Sequence, residues 1–568
     1  GATFEVIDVS SLWNAHGNGM GRQTGEKLAV DPKKSDIVLC GTRRDGLFKS
    51  TDAGKTWQKI SSIGEASGAD LLNQNGISFV FFDSTSAATN SGATSVIYMG
   101  VSATTSNLYK STDGGSTWNP VSGGPASMMP HRVTMLNGNL YITFSNNTGP
   151  HNITQGAFYK YNTTSGVWTN LTPKEGDTYL GSGGQSYAHG FGGVSIDPAD
   201  ENHILISTLN YYGGQSRYAT GEEGWGDRIY VTKDGGQTWT TPFTYATASS
   251  ETANVGAKDN LWIAGHAIHW AGCITFNPFN TNEAWVTSGN GVFRSQNVNA
   301  EKPIWNFESR GIEETVPLDI VSVPGGPLVT AIGDYDGSSF DDIHKSTALH
   351  NPRIGTTHSL GYAPLNGSFL RTGIVTDYST GTGITSNKMY FSEDNAKTWT
   401  ETPEPKGAHG FVALSADAAS WLHRLDNSDM VYYSLDKGTT WSAVTGLDAQ
   451  AQYAKIVPDP VNPNVFYVLD QQGKLKKSTD QGKTFAVVGS VQNDAQGLYQ
   501  ASNGYVRTVP NREGHIWAPL DQAQSWAANG KFSTNGLALS EDGGATWQRF
   551  PSVYAALAVG IGKAAPEA

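Results

Sequence analysis

Charge, cysteine and long apolar runs are all scarce in this sequence. Only 16% of its 568 residues are Asp, Glu, Lys or Arg, against roughly a quarter in an ordinary globular chain. Basic residues are the scarcer sign, 38 against 51 acidic, and the formal charge is −13. Nucleic acids and anionic membranes need a basic face, so neither is an expected partner. Two cysteines, Cys40 and Cys273, exclude a disulfide framework and a zinc cluster. No apolar run approaches the ~18 residues that a spanning helix requires. A secretory leader with its apolar core is also missing from the first residues, as in a mature secreted protein that has lost one.

What the chain has instead is glycine, 67 residues, and aromatics, with 16 Trp, 23 Tyr and 21 Phe. Low charge with many tight-turn and aromatic residues indicates an all-β protein and excludes a helical or disordered one. A length of 568 exceeds one ordinary core, which leaves two or more domains or a closed repeat array.

One phrase recurs seven times: "STDAGKTW" (50–57), "STDGGSTW" (111–118), "TKDGGQTW" (232–239), "SEDNAKTW" (392–399), "SLDKGTTW" (434–441), "STDQGKTF" (478–485) and "SEDGGATW" (540–547). Each copy follows a short apolar strand and precedes another. The Asp accepts bonds from its own turn, Gly supplies positive φ, Thr closes the turn, and Trp packs between neighbouring sheets. Asp52, Asp113, Asp234, Asp394, Asp436, Asp480 and Asp542 are therefore hairpin punctuation and not catalysts. Degenerate copies occupy 161–171 and 293–305, and at least one unmarked unit lies between 305 and 392. The total is ten to eleven units of roughly 40–60 residues, the period of four-stranded propeller blades. One ring closes with about 4–8 blades, so the array is either an unusually large ring or two rings in tandem. The rhythm breaks at 308–337, which places the seam near residue 310.

Along the whole chain run segments that resemble glycoside hydrolase family 74, the xyloglucan-active Asp-box enzymes. They include "GRQTGEKLAVDP", "GFGGVSIDP", "GIEETVPLDIVS", "GPLVTAIGD", "HGFVALSAD", "DPVNPNVFYVLD" and "VPNREGHIWAPL". The resemblance implies two tandem seven-bladed β-propellers, most of one in 1–310 and most of the other in 311–568, with a substrate cleft between them. It also implies blades missing at both ends, because the family begins earlier and ends later than this chain. An internal fragment, a nicked chain with a companion fragment supplying the missing blades, or a divergent member is expected.

Glycosidases of this type set two carboxylates across the scissile bond, and inverting ones hold them about 6.5–9.5 Å apart to admit a water. By resemblance the Asp of "AIGD", Asp334, is the general acid. An apolar strand delivers it to a loop at the strand end, the place where propellers present functional groups. Downstream, "DYDGSSFDD" departs from the family's glycines, and Asp336, Asp341 and Asp342 are expected to be solvated loop charges; the alternative is that Asp336 perturbs Asp334 or shares its role. No base stands out. Asp45 of "TRRDG" is the nearest candidate, although its context matches a structural blade. For a neutral polysaccharide, aromatic contacts are expected from Tyr211, Tyr212, Trp225, Trp262 and Trp270, in insertions that lack the box. His266 and His269 are three apart without a third ligand, so neither a metal nor a cofactor is expected. Sequons at Asn146, Asn152, Asn162, Asn170 and Asn366 point to a secreted glycoprotein. The expected function is hydrolysis of the β-1,4-glucan backbone of xyloglucan with inversion. The alternative is a non-catalytic propeller that binds glycan, or peptide as sortilin-type receptors do, although those append a cysteine-rich region. Sialidases share the box, but the isolated arginines here form no carboxylate-binding cluster.

Overall fold

Each short apolar run of the sequence forms one strand of an antiparallel meander. The computed structural model describes residues 5–13, 19–61, 76–173, 189–211, 213–216, 223–241, 255–256, 268–301, 303–309, 311–312, 314–377, 384–403, 409–426, 428, 430–448, 454–470, 472–491, 506–520, 536–550, 552–553, 556 and 558–562. Among these residues there is no helix, and the chain is all-β as expected. It divides into two compact units, Gly1–Glu313 and Glu314–Ala568.

Among the described residues, unit one holds five main sheets, at 28–59, 77–120, 129–170, 190–232 and 255–307, and unit two another five, at 316–340, 356–402, 410–443, 457–490 and 507–549. Seven of the ten are four-stranded and follow chain order from strand to strand. An eleventh, two-stranded sheet, Gly213–Ser216 with Glu223–Gly226, is a hairpin inserted before the strand Ile229–Thr232. Middle strands such as Ile97–Val101 and Phe466–Leu469 are buried along their whole length. Hence they read as continuous apolar runs without the polar alternation of a half-exposed strand.

All seven boxes are built alike. The leading Ser or Thr hydroxyl donates to the Asp at 2.7–2.8 Å. The trailing Thr hydroxyl donates to the other carboxylate oxygen at 2.5–2.7 Å. Two successive residues of each turn are left-handed, for example Ala53 and Gly54, and even Asn395 and Ala396 where glycine is missing. In the boxes after the first, the aromatic then fills the layer between its own sheet and the one before it. Trp118 lies with Leu39 and Leu47 of one sheet and Ile97 of the next, and Trp399 with Val329 and Phe369. The core is thus a series of layers between consecutive sheets.

At Asp52, Asp234 and Asp542 the box threonine's hydroxyl, and then its amide, hold the carboxyl down to about 2. The unfolded value is about 3.9, so the stabilisation is complete above pH 4 and is lost as the pH falls towards 2. Calorimetry should show the melting temperature falling across that window. The Asp234→Asn protein should melt lower at neutral pH and lose less between pH 4 and pH 2. An identical acid dependence in the two proteins would contradict this account of the box.

Candidate active site

The strand Leu328–Gly333 ends unit two's first hairpin, and the chain turns at once through Asp334, Tyr335 and Asp336. Asp334 and Asp336 both take positive φ, 67° and 77°. Asp is one of the few residue types that enters this region without glycine's freedom. Gly337 follows at φ 127°, where a Cβ would stand 2.0 Å from the Thr330 carbonyl oxygen, so only glycine fits. The turn closes with Ile332 N–H donating to the Asp336 carbonyl at 2.9 Å. Asp334's own amide donates to the Thr356 hydroxyl at 3.0 Å, tying the turn to the first strand of the next sheet, Thr356–Ala363.

The two aspartates of this turn have opposite fates. Asp334 is exposed, and among the described residues its carboxyl accepts no hydrogen bond. Its charge reaches the half-buried Tyr335, whose hydroxyl is pushed up by burial first and by Asp334 second. Asp336 has no exposed surface at all. One of its oxygens accepts from the Ile354 amide at 2.8 Å, the other from the Thr357 hydroxyl and from Arg371 Nη1 at 2.6 Å. Burial pushes its carboxyl up, and Arg371 opposes the shift. The expected solvated loop charge is therefore corrected: Asp336 is the buried anchor of the turn. Asp342 does sit in the loop, where it caps the His344 amide at 2.9 Å. Asp341 is exposed.

On the strands beside this turn stand groups that the sequence did not single out. The His358 ring, on Thr356–Ala363, lies 4.5 Å from that of His409, just before Gly410–Leu414. His409 meets Asn387 Oδ1 at 3.0 Å and Asp426 Oδ2 at 3.3 Å. Burial, then His409, keeps His358 below the usual imidazole range. A motif search misses them because His358 and His409 come from segments of different sheets, 51 residues apart in the chain.

In unit one, Asp227 plays the anchoring part. It is buried, accepts from the Thr208 hydroxyl at 2.8 Å, the Tyr211 amide at 3.0 Å and the Ala271 amide at 3.1 Å, and burial pushes it up to about 6. It thereby brings together the loops of two expected sugar contacts. Trp270 is half-buried at φ 55°, with the Arg22 guanidinium 4.9 Å over its ring and His151 4.8 Å away edge-on. Tyr211 is only 1% exposed, packed by Arg228 and His189. Its expected role in sugar contact is corrected to packing, because a buried ring offers no face. Tyr212, Trp262, His266 and the side chain of Trp225 lie outside the described residues. His269 faces the Asn290 amide at 3.2 Å, and no group of three potential metal ligands occurs among the described residues.

Asp45 lies in the turn between Val38–Gly41 and Leu47–Ser50, its amide held by the Thr42 hydroxyl at 2.9 Å, in the other unit from Asp334. Of the sequons, Asn152 and Asn170 are exposed. Asn162 is engaged on both sides of its amide, by Asn139 at 2.9 Å and by Ser165 at 2.8 Å. Asn146 bonds Thr154 at 2.7 Å, and Asn366 bonds the Asp417 carbonyl at 2.7 Å.

Consecutive antiparallel meanders, seven of them turned by the same Asp-box lock, define an all-β repeat protein, and the strand end at Gly333 presents an uncommitted carboxyl. Solved structures give the likeness its family. The GH74 enzyme of Niastella koreensis is 34% identical, with a TM-score of 0.77 over 98% of this chain and 73% of that one. The GH74 xyloglucanase of Xanthomonas campestris is 28% identical, with a TM-score of 0.74 over 98% and 82%. A xyloglucanase of a Paenibacillus species is 32% identical over 100% of this chain and 55% of its own length. The chain belongs to glycoside hydrolase family 74. It spans about half the length of that curated relative. No family model matches it.

Proposed function

We propose that this chain is a secreted glycoside hydrolase that cleaves the β-1,4-glucan backbone of xyloglucan with inversion, Asp334 serving as the general acid. The observation that carries the reading is Asp334 itself: an exposed carboxyl on a left-handed turn whose backbone is tied down on both sides. Relatives named as xyloglucanases supply the substrate class. A carboxylic acid held in place protonates the departing glycosidic oxygen, while a second carboxylate activates water on the opposite face of the sugar. Trp270 is the proposed aromatic contact for the glucan, since the residue is only half-buried, unlike Tyr211, on a loop fixed by Asp227.

Proton NMR during xyloglucan hydrolysis tests the reading. The first product should carry the α-anomer, with the β-anomer appearing only by mutarotation. Trp270→Ala should raise KM about tenfold, on the scale of one aromatic stacking contact. Initial β-anomer would overturn inversion, and a chain that binds xyloglucan without releasing reducing ends would be a glycan-binding protein.

A further inference from the structure

Asp336 and Arg371 form an ion pair at 2.6 Å, and neither side chain has any exposed surface. Burying two charges costs several kcal/mol each unless every polar atom finds a partner. Here the Asp336 oxygens collect three donors and Arg371 Nη2 donates to the Pro352 carbonyl, while Arg371 Nε is left without a hydrogen-bond partner among the described residues. Every one of these partners lies outside the turn. Ile354 and Thr357 belong to the chain entering the next sheet, and Arg371 to that sheet's second strand, Ser368–Asp377. The Asp336 amide adds a bond to the Gly355 carbonyl at 3.1 Å. On its other side the Arg371 guanidinium stacks over Trp399 at 4.6 Å and Tyr390 at 4.9 Å. Trp399 is the aromatic of an Asp box. A continuous set of contacts therefore runs from the structural box, through Arg371 and Asp336, to the turn that carries Asp334.

Left-handed residues cost about 1–2 kcal/mol each outside glycine, and this turn holds two within three positions. Such a turn persists only where its surroundings over-determine it. Asp336 supplies that determination at its base, and the Thr356 hydroxyl supplies it at the Asp334 amide.

We propose that Asp336 and Arg371 are positioning residues for the reaction: their buried pair docks the turn onto the next sheet and so sets where the Asp334 carboxyl stands. The proposal rests on the reading of Asp334 as the general acid. Neither residue is placed at the substrate; they act through Asp334's backbone.

The test is steady-state hydrolysis of xyloglucan by the full chain, with melting temperature followed in parallel. Asp336→Asn should lower kcat 10- to 100-fold with KM within about twofold, since a misplacement of 1 Å costs on the order of a hundredfold. Asp336→Asn with Arg371→Met, which removes both charges, should regain melting temperature without regaining kcat. Asp480→Asn, a box variant remote from the turn in sequence, should lower the melting temperature and leave kcat unchanged where it stays folded. If the single variant does not fold, Thr357→Val removes one donor and should lower kcat about threefold to tenfold at constant KM. Wild-type kcat in a folded Asp336→Asn protein, or kcat returning together with stability in the double variant, overturns the positioning role and leaves Asp334 as the acid. An active Asp334→Asn protein overturns both.

Discussion

Asp334→Asn is expected to abolish xyloglucan hydrolysis, lowering kcat about a thousandfold, while the melting temperature stays within about a degree of wild type. A positioned general acid contributes on the order of 10²–10⁴ in rate. The stability side follows from exposure: the described structure gives the carboxyl no bond to lose, and substitutions at such sites change stability by about 0.5 kcal/mol or less. Asn is the appropriate replacement because it also tolerates the left-handed region that Asp334 occupies at φ 67°. Alanine there would add backbone strain and mix two effects. A second substrate separates acid from base. An aryl glycoside whose phenol leaves without protonation needs no general acid, so Asp334→Asn should hydrolyse it at close to the wild-type rate. Equal loss on both substrates would give Asp334 the role of base or of structural residue.

Arg371→Met is expected to destabilise the protein by about 3–5 kcal/mol in urea unfolding. That is the scale for removing one partner of a buried ion pair and stranding the other. The van der Waals volume is largely retained, so the loss is electrostatic, with the stacking on Trp399 and Tyr390 forfeited as well. Its pH dependence has a definite sign. Asp336 already has a raised carboxyl from burial, with Arg371 as the principal opposing influence. Without the arginine the folded value rises further above the unfolded one of about 3.9. The penalty is therefore smallest where Asp336 is protonated and grows as pH rises through the folded value. The deficit relative to wild type should shrink as the pH is lowered towards the range where Asp336 is protonated. A deficit of less than 1 kcal/mol, or one independent of pH, would show that the pair is not the anchor described.

The contrast between Asp334 and Asp336 shows where sequence reasoning stops. The Gly-Asp at the end of "LVTAI" is legible as a strand delivering a carboxyl to a loop, and the turn stands there. Which of two aspartates, two positions apart, faces water was not legible. The partners that bury Asp336 lie 18 to 35 residues further on. One available signal is an arginine inside the apolar strand "SFLRTGIVTD", since a charge in a middle strand calls for a buried partner. Tyr211 makes the same point from the other side. Its insertion looked like a binding loop, yet Asp227 draws that loop's backbone inward and its ring is buried under Arg228.

The Asp box was readable without any structure because the bonds that join its Ser, Asp and Thr side chains close within its own eight residues. Ser50, Asp52, Gly54, Thr56 and Trp57 supply one another's donors and acceptors, so the seven copies adopt one geometry wherever they fall. Short apolar strands between such turns have no means of satisfying their backbones except by pairing with their chain neighbours. The sequence alone therefore determined the all-β meanders and their order. The tertiary structure decided which charges were buried and which stayed free. That depends on side chains meeting from different sheets, where removal from water makes an unpaired carboxylate costly and a paired one an anchor.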